Sequence, residues 1–277
     1  MNESMNLVGY HEGNSFLHRL SGASKLIFFL LVSLASMMTF DTRLLLLIAV
    51  GSLLLFRMAG FRFKQVAFVI GLAAFFGILN LLMIYLFSPQ YGTELYGTRT
   101  VLLGSGGYAL TAEEIFYLFN VLLKYVCTIP LALLFLLTTH PSQFASSLNQ
   151  LGVPYKVAYS VSLTLRYIPD LQEEFFMIRK SQEARGLELS KKAGLLQRLK
   201  GNIQIVTPLI LSSLDRIESI ATAMELRRFG KLKKRTWFRY QALGKSDWLV
   251  IGFAGLIVVV SIALFTVNGG RFYNPFV

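Results

Sequence analysis

The chain has 277 residues, of which 54% are hydrophobic and 15% charged. That charge content is far below the roughly 25% usual in soluble domains, and no single soluble core hides so much apolar side chain, so the bilayer is the expected solvent. The net charge of +12 does not mark a nucleic-acid binder, because residues 140–245 carry 18 of the 27 Lys and Arg against 8 of the 15 Asp and Glu. A basic block between apolar segments is the mark of a cytoplasmic domain, and some of it can face anionic lipid headgroups.

Residues 1–24 are polar and lack the short apolar core and small-residue cleavage site of a secretory leader, so the first apolar segment is expected to stay in the mature protein. Five segments are expected to span. The first runs from about Lys25 to Phe40 and the second from about Leu44 to Phe56. Both are shorter than the ~20 residues of a perpendicular span, and the break Asp41-Thr42-Arg43 suits a tight turn, so they read as a helical hairpin or a pair of re-entrant helices. The third, Gln65 to Phe87, has no charge, and its pairs Ala67/Gly71 and Ala73/Gly77 permit close backbone approach. Residues 88–110 are polar and rich in glycine; Gly104-Ser105-Gly106-Gly107 fits no phosphate loop, and a flexible outer loop is expected.

The fourth span, about Ile115 to Thr138, contains Pro130, which should kink it, and Lys124, which should face protein or water or, sitting near one end, snorkel. Cys127 lies in it as a small buried hydrophobe; one thiol makes no internal disulfide. The last span is Asp247 to Val267. Arg57, Arg62 and Lys64 and the basic block alternate with sparse outer charges at Arg43, Arg99 and Arg271. The positive-inside rule then puts the N-terminus inside and the C-terminus outside. The resulting regions are 1–139 with four spans, 140–245 as a cytoplasmic helical domain, and 246–277 as the last span and outer tail.

Within 140–245, Ser142 is expected to cap a short helix that stops near Leu151-Gly152. Apolar residues then recur at 157, 161, 165, 168, 171, 175 and 178, a continuous helical stripe bent at Pro169 and ending at Ala184-Arg185-Gly186. A second stripe, Ile203, Val206, Ile210, Leu214, Ile217, Ala221 and Met224, is bent at Pro208 and ends at Leu226-Arg227-Arg228-Phe229-Gly230. Lys231, Lys233, Lys234, Arg235 and Arg239 follow. Val161, Leu165, Ile210 and Leu214 are expected to be buried, between the long helices or against another membrane subunit. Arginine before glycine at a helix end also serves as an ordinary dipole-favoured stop. Two such ends in one membrane-attached domain weaken that reading.

These segments resemble the transmembrane T component of energy-coupling factor (ECF) transporters, the family that includes the cobalt-transport membrane subunit. The similarity is carried by Leu137-Thr138-Thr139-His140-Pro141, Leu148-Asn149-Gln150-Leu151-Gly152-Val153-Pro154, Leu165-Arg166-Tyr167-Ile168-Pro169, Ala184-Arg185-Gly186 and Ala223 to Gly230, with Leu17-His18-Arg19-Leu20 and Lys25-Leu26 at the start. Three places depart from the family pattern: Ser21-Gly22-Ala23 stands for Asp-Pro-Arg, and Leu226 and Arg228 stand for the usual Ala and Gly. The resemblance implies an all-α polytopic protein of about five transmembrane helices with long, bent amphipathic coupling helices, in a bacterial cell membrane. It implies two cytoplasmic ATP-binding-cassette ATPases and a small substrate-binding membrane subunit as partners. ATP and Mg then sit on the ATPases, with no cofactor on this chain. ATPase coupling falls to Ala184, Arg185, Gly186, Leu226, Arg227 and Arg228, with either of the last two as the main contact, and subunit packing to Val161, Leu165, Ile210, Leu214, Pro169 and Pro208.

The chain has no GxxxxGK[ST], and His11, His18 and His140 have no metal-ligand spacing, which argues against an ATPase or a metalloenzyme. Glu113-Glu114 and Glu173-Glu174 are adjacent and read as solvated. A self-sufficient channel or secondary transporter is the competing class, but no repeat of the span pattern accompanies Lys124 and Pro130.

Overall fold

The computed structural model describes residues 15–61, 63–104, 106–187, 194–232, 236–237 and 240–276. Expectations placed on His11, Arg62, the Lys64 side chain, Ser105, Lys233, Lys234, Arg235 and Arg239 lie outside the described residues. The chain divides into two units: residues 1–143 with 241–277, and residues 144–240.

The first unit holds α1 (Phe16–Arg19), α2 (Gly22–Met38), α3 (Thr42–Met58), α4 (Phe63–Phe87), α5 (Tyr91–Tyr96), β1 (Val101–Leu103), β2 (Leu110–Thr111), α6 (Ala112–Thr138) and, after the second unit, α10 (Lys245–Val267). It is an all-α membrane fold apart from the small antiparallel pair β1–β2. Among the described residues three helices, within α4, α6 and α10, are long and apolar enough to cross a membrane. The 17-residue helices α2 and α3 extend only about 25 Å at ~1.5 Å per residue, less than the ~30 Å hydrocarbon core.

The 27-residue α6 is the centre of this unit. Although α2 and α3 are consecutive, they share little contact; both lean on α6, and α10 packs against α2. Val32, Leu45, Ile48, Cys127, Leu131 and Ala254 interlock among these four helices. Cys127 is fully buried, with its thiol on the Leu45 carbonyl. On α4 the two small-residue pairs differ: a Cβ at Gly77 would lie 3.8 Å from the Tyr125 ring, whereas one at Gly71 would meet nothing within 4 Å.

A polar clasp closes one end of the unit. Asp247 accepts hydrogen bonds from the Ser21 and Gly244 amides at 2.9 and 2.8 Å and from the Ser24 hydroxyl. The same carboxylate therefore caps α10 and joins it to the start of α2. Beside it, buried Lys25 donates to the Thr138 carbonyl at 2.9 Å, tying the end of α6 to α2. At the opposite end the segments read as outer gather together. Phe40 stacks on Phe272, Asn268 donates to Asp41, and Arg43 donates to the Tyr273 hydroxyl.

Of the alternatives for Lys124, facing protein is the one seen: its Nζ donates to the Met37 carbonyl at 2.8 Å and sits 3.2 Å from the Phe40 ring centre, capping the end of α2. Two expectations for this unit are corrected. The loop expected to be flexible, residues 88–110, is a built element, because Glu113 and Glu114 after it are wholly buried rather than solvated. The Glu113 carboxylate accepts the Thr100 amide at 2.9 and 3.1 Å, and Glu114 accepts the Gly92 amide at 2.7 Å. Finally, the helix after Thr139 starts at Pro141, one residue before the expected cap, and the His140 ring accepts the Ser142 amide at 3.1 Å.

The second unit holds most of α7 (Pro141–Gln150), then α8 (Tyr155–Ala184) and α9 (Leu195–Leu226). Gly152 stops α7 in the left-handed conformation at φ +96°. The helices α8 and α9 have 30 and 32 residues and run unbroken through Pro169 and Pro208. Each proline deletes one rung of the helical ladder, which is where such a helix bends.

Candidate functional site: two arginine-bearing helix ends

Within the second unit, α8 and α9 run antiparallel. Glu174 meets Arg216 at 2.7 Å and also takes the Ser212 hydroxyl, while nearer the start of α8 the Tyr159 ring lies 4.7 Å from Phe229. Leu163, Tyr167 and Leu171 face Ser213, Ile220 and Met224 across an apolar crevice of about 420 Å³. The ends of the two helices therefore point in opposite directions. Arg185 and Arg227 each lie eleven residues beyond the Glu174–Arg216 pair. At ~1.5 Å per residue the two ends stand on the order of 30 Å apart.

The two ends share one backbone geometry. Arg185 has φ −85°, ψ 8°, and Arg227 has φ −85°, ψ 11°. After α8, Gly186 and Leu187 donate to the Glu183 and Gln182 carbonyls at 3.0 Å each. After α9, Arg228 and Phe229 donate to Glu225 and Met224 at 2.8 and 2.9 Å. Both are Schellman stops, in which two amides reach back to satisfy the last free carbonyls. Arg227 is thus the register partner of Arg185, and Arg228 is the partner of Gly186. Gly186 has φ +90° and Arg228 φ +55°, so Arg228 adopts the left-handed conformation that favours glycine.

Ala184, Arg185 and Gly186 are exposed, as are Leu226, Arg227 and Arg228, with Leu226 reaching 81% exposure. The structure thus brings together two separate triplets with equivalent backbones. Sequence reasoning missed what braces the second. Tyr155, Tyr159, Phe229 and Trp237 form an aromatic cluster, and Trp237 donates to Asn149 at 3.1 Å. The signal was present as two tyrosines one helical turn apart and an aromatic after the paired arginines.

The expected packing residues divide. Val161 and Leu165 are half-buried. Ile210 and Leu214 are exposed at 53% and 55%, so they are not buried between the long helices. The face of α9 that meets α8 is mixed: Ser212 and Arg216 donate to Glu174, while Ser213, Ile220 and Met224 line the crevice. The apolar stripe Ile203, Val206, Ile210 and Leu214 is left exposed. Pro169 is exposed and Pro208 half-buried.

Among the described residues, no group of three or more His, Cys, Asp or Glu is placed to hold a metal ion. The arrangement is that of a polytopic α-helical membrane protein bearing two matched arginine-tipped helix ends. The family model described as cobalt transport protein matches residues 13–237. The energy-coupling factor transporter transmembrane protein EcfT of Exiguobacterium sibiricum is 30% identical, over 95% of this chain and 99% of that one. Its namesake in Bacillus subtilis is 30% identical over 96% and 99%, and that of Listeria innocua 31% over 86% and 90%. The chain belongs to this family, the transmembrane T components of energy-coupling factor transporters.

Proposed function

We propose that this T component couples ATP hydrolysis on two cytoplasmic ATP-binding-cassette subunits to the movement of a small substrate-binding membrane subunit that carries a vitamin or a transition-metal ion inward. The observation that carries the reading is the pair of equivalent arginine ends, Arg185 and Arg227, at opposite ends of one antiparallel helix pair. Each suits a groove on one ATPase of a pair. A guanidinium keeps its charge at all physiological pH and holds a carboxylate through two parallel hydrogen bonds. Closing of the ATPases then pulls both ends at once, and packed helices respond by sliding or pivoting between discrete states. The exposed stripe of α9, including Ile210 and Leu214, suits the apolar surface of the substrate-binding subunit, since large uncovered apolar patches mark interaction sites. ATP and Mg belong to the ATPases, and this chain performs no chemistry. In the bacterial plasma membrane the N-terminus lies inside and the C-terminus outside.

The test is substrate uptake and ATPase co-purification for Arg185→Ala, Arg227→Ala and the double variant. Loss of a charged hydrogen-bonding group at a buried interface costs roughly 2–5 kcal/mol, so uptake collapses and the ATPases dissociate while the chain still inserts. Near-normal uptake with ATPases retained in the double variant refutes the coupling role.

A further inference from the structure

The two arginine ends have the same backbone but different flanking side chains. Ala184 and Gly186 flank Arg185; Leu226 and Arg228 flank Arg227. Among the described residues, nine non-terminal positions have positive φ; eight are glycine and the ninth is Arg228. A side chain in that conformation crowds its own backbone, and glycine at that place, as at Gly186, removes the crowding. Nothing about the stop itself calls for arginine, since the α8 end makes the same two hydrogen bonds with glycine. Strained backbone that the surroundings hold in place points to use of the side chain. Here the surroundings do hold it. Phe229, the next residue, is clamped by Tyr155 and Tyr159 at 5.4 and 4.7 Å, and Gly230 follows close against Lys156, where a Cβ would lie 3.1 Å from its Cε.

Resting on the coupling reading above, we propose that Arg228 is a second docking cation, and that the ATPase groove receiving the α9 end offers it an acidic group distinct from the one held by Arg227. The α9 end is then larger and carries two guanidiniums, with Leu226 as an apolar anchor beside them, whereas the α8 end is small and carries one. The two ends are not interchangeable: a groove shaped for Ala184-Arg185-Gly186 has neither the room nor the second charge for Leu226-Arg227-Arg228. Bracing by the aromatic cluster lowers the ordering cost of presenting both arginines together.

The two demands on Arg228 have opposite signs, which makes the proposal testable. Arg228→Gly removes the crowding and the guanidinium together. In the tagged complex purified with its ATPases, it is expected to lower ATPase retention at raised salt about tenfold or more, the scale of one lost charged hydrogen bond. ATP-driven uptake falls with it. The isolated chain meanwhile unfolds at an equal or higher temperature. Arg228→Lys keeps the charge and is expected to retain the ATPases better than the glycine variant. Arg228→Gly with unchanged salt resistance and unchanged uptake overturns the proposal. Arg227→Ala run in parallel separates the two readings: if it releases the ATPases while Arg228→Gly does not, only the second cation fails; if Arg227→Ala releases nothing, the coupling reading fails and this inference with it.

Discussion

Glu174 of α8 and Arg216 of α9 are joined by a 2.7 Å ion pair in which the glutamate is the more deeply buried partner, at 15% side-chain exposure against 35%. The pair lies midway between the two arginine ends and fixes the register of the helices that bear them. Arg216→Met leaves Glu174 with only the Ser212 hydroxyl, and the expected loss is about 1–3 kcal/mol, below that of a fully buried pair because Arg216 reaches water. A double-mutant cycle with Glu174→Gln, read by thermal unfolding in detergent, should give a coupling energy near ~1 kcal/mol. Strict additivity would mean that the pair does not hold the helices.

The clasp around Asp247 should be costlier to break. Asp247→Ala strips the partner from the Ser21 and Gly244 amides and the Ser24 hydroxyl, and leaves the Lys25 charge buried without a carboxylate nearby. About 3–5 kcal/mol is expected from removing one member of such a group. Protease resistance of the detergent-solubilised chain should fall sharply, and Asp247→Asn, which keeps an acceptor oxygen, should fall less. Equal resistance of the alanine variant and the unsubstituted chain would refute the clasp.

Gly92 tests the built outer loop. A Cβ there would stand 2.7 Å from the backbone carbon and oxygen of Glu113, too close for any real contact. Gly92→Ala must displace α5 from α6, lengthening the Gly92–Glu114 hydrogen bond, at an expected ~1–3 kcal/mol. Limited proteolysis should open the segment 88–110 first. A variant cleaved no faster than the parent would show that the loop accommodates the methyl group.

Orientation is read with cysteine reagents. Cys127 is fully buried, so it is a silent background. Cysteines at Ser105 and Asn268 should react with an impermeant thiol reagent added outside intact cells, and one at Lys191 should not. Labelling at Lys191 from outside would invert the proposed topology.

Much of this architecture is legible in the sequence because burial in lipid writes long apolar runs. All five expected segments appear as helices, with ends within a few residues of those read from composition. The 3–4 spacing likewise marks α8 and α9. What escapes has a common cause. Periodicity tells which face of α9 is apolar, not how α9 is turned toward α8, and here Ser212 and Arg216 are turned inward to Glu174 while Ile210 and Leu214 stay exposed. The burial of Glu113 and Glu114 depends on the amides of Thr100 and Gly92, donors that no side-chain pattern reports. The equivalence of Arg185 with Arg227 rather than Arg228 is a matter of φ and ψ, which settles the register the letters leave open.

The contacts of Asp247 also set a timetable. The amide of Ser21 and the hydroxyl of Ser24, at the mouth of the first long helix, find their acceptor more than 220 residues later in the chain. At ~5–20 residues per second, a ribosome needs on the order of ten to forty seconds to make the missing residue. During that interval α2 lacks the acceptor of its opening turn, and the whole of the second unit is synthesised before α10 arrives to supply it.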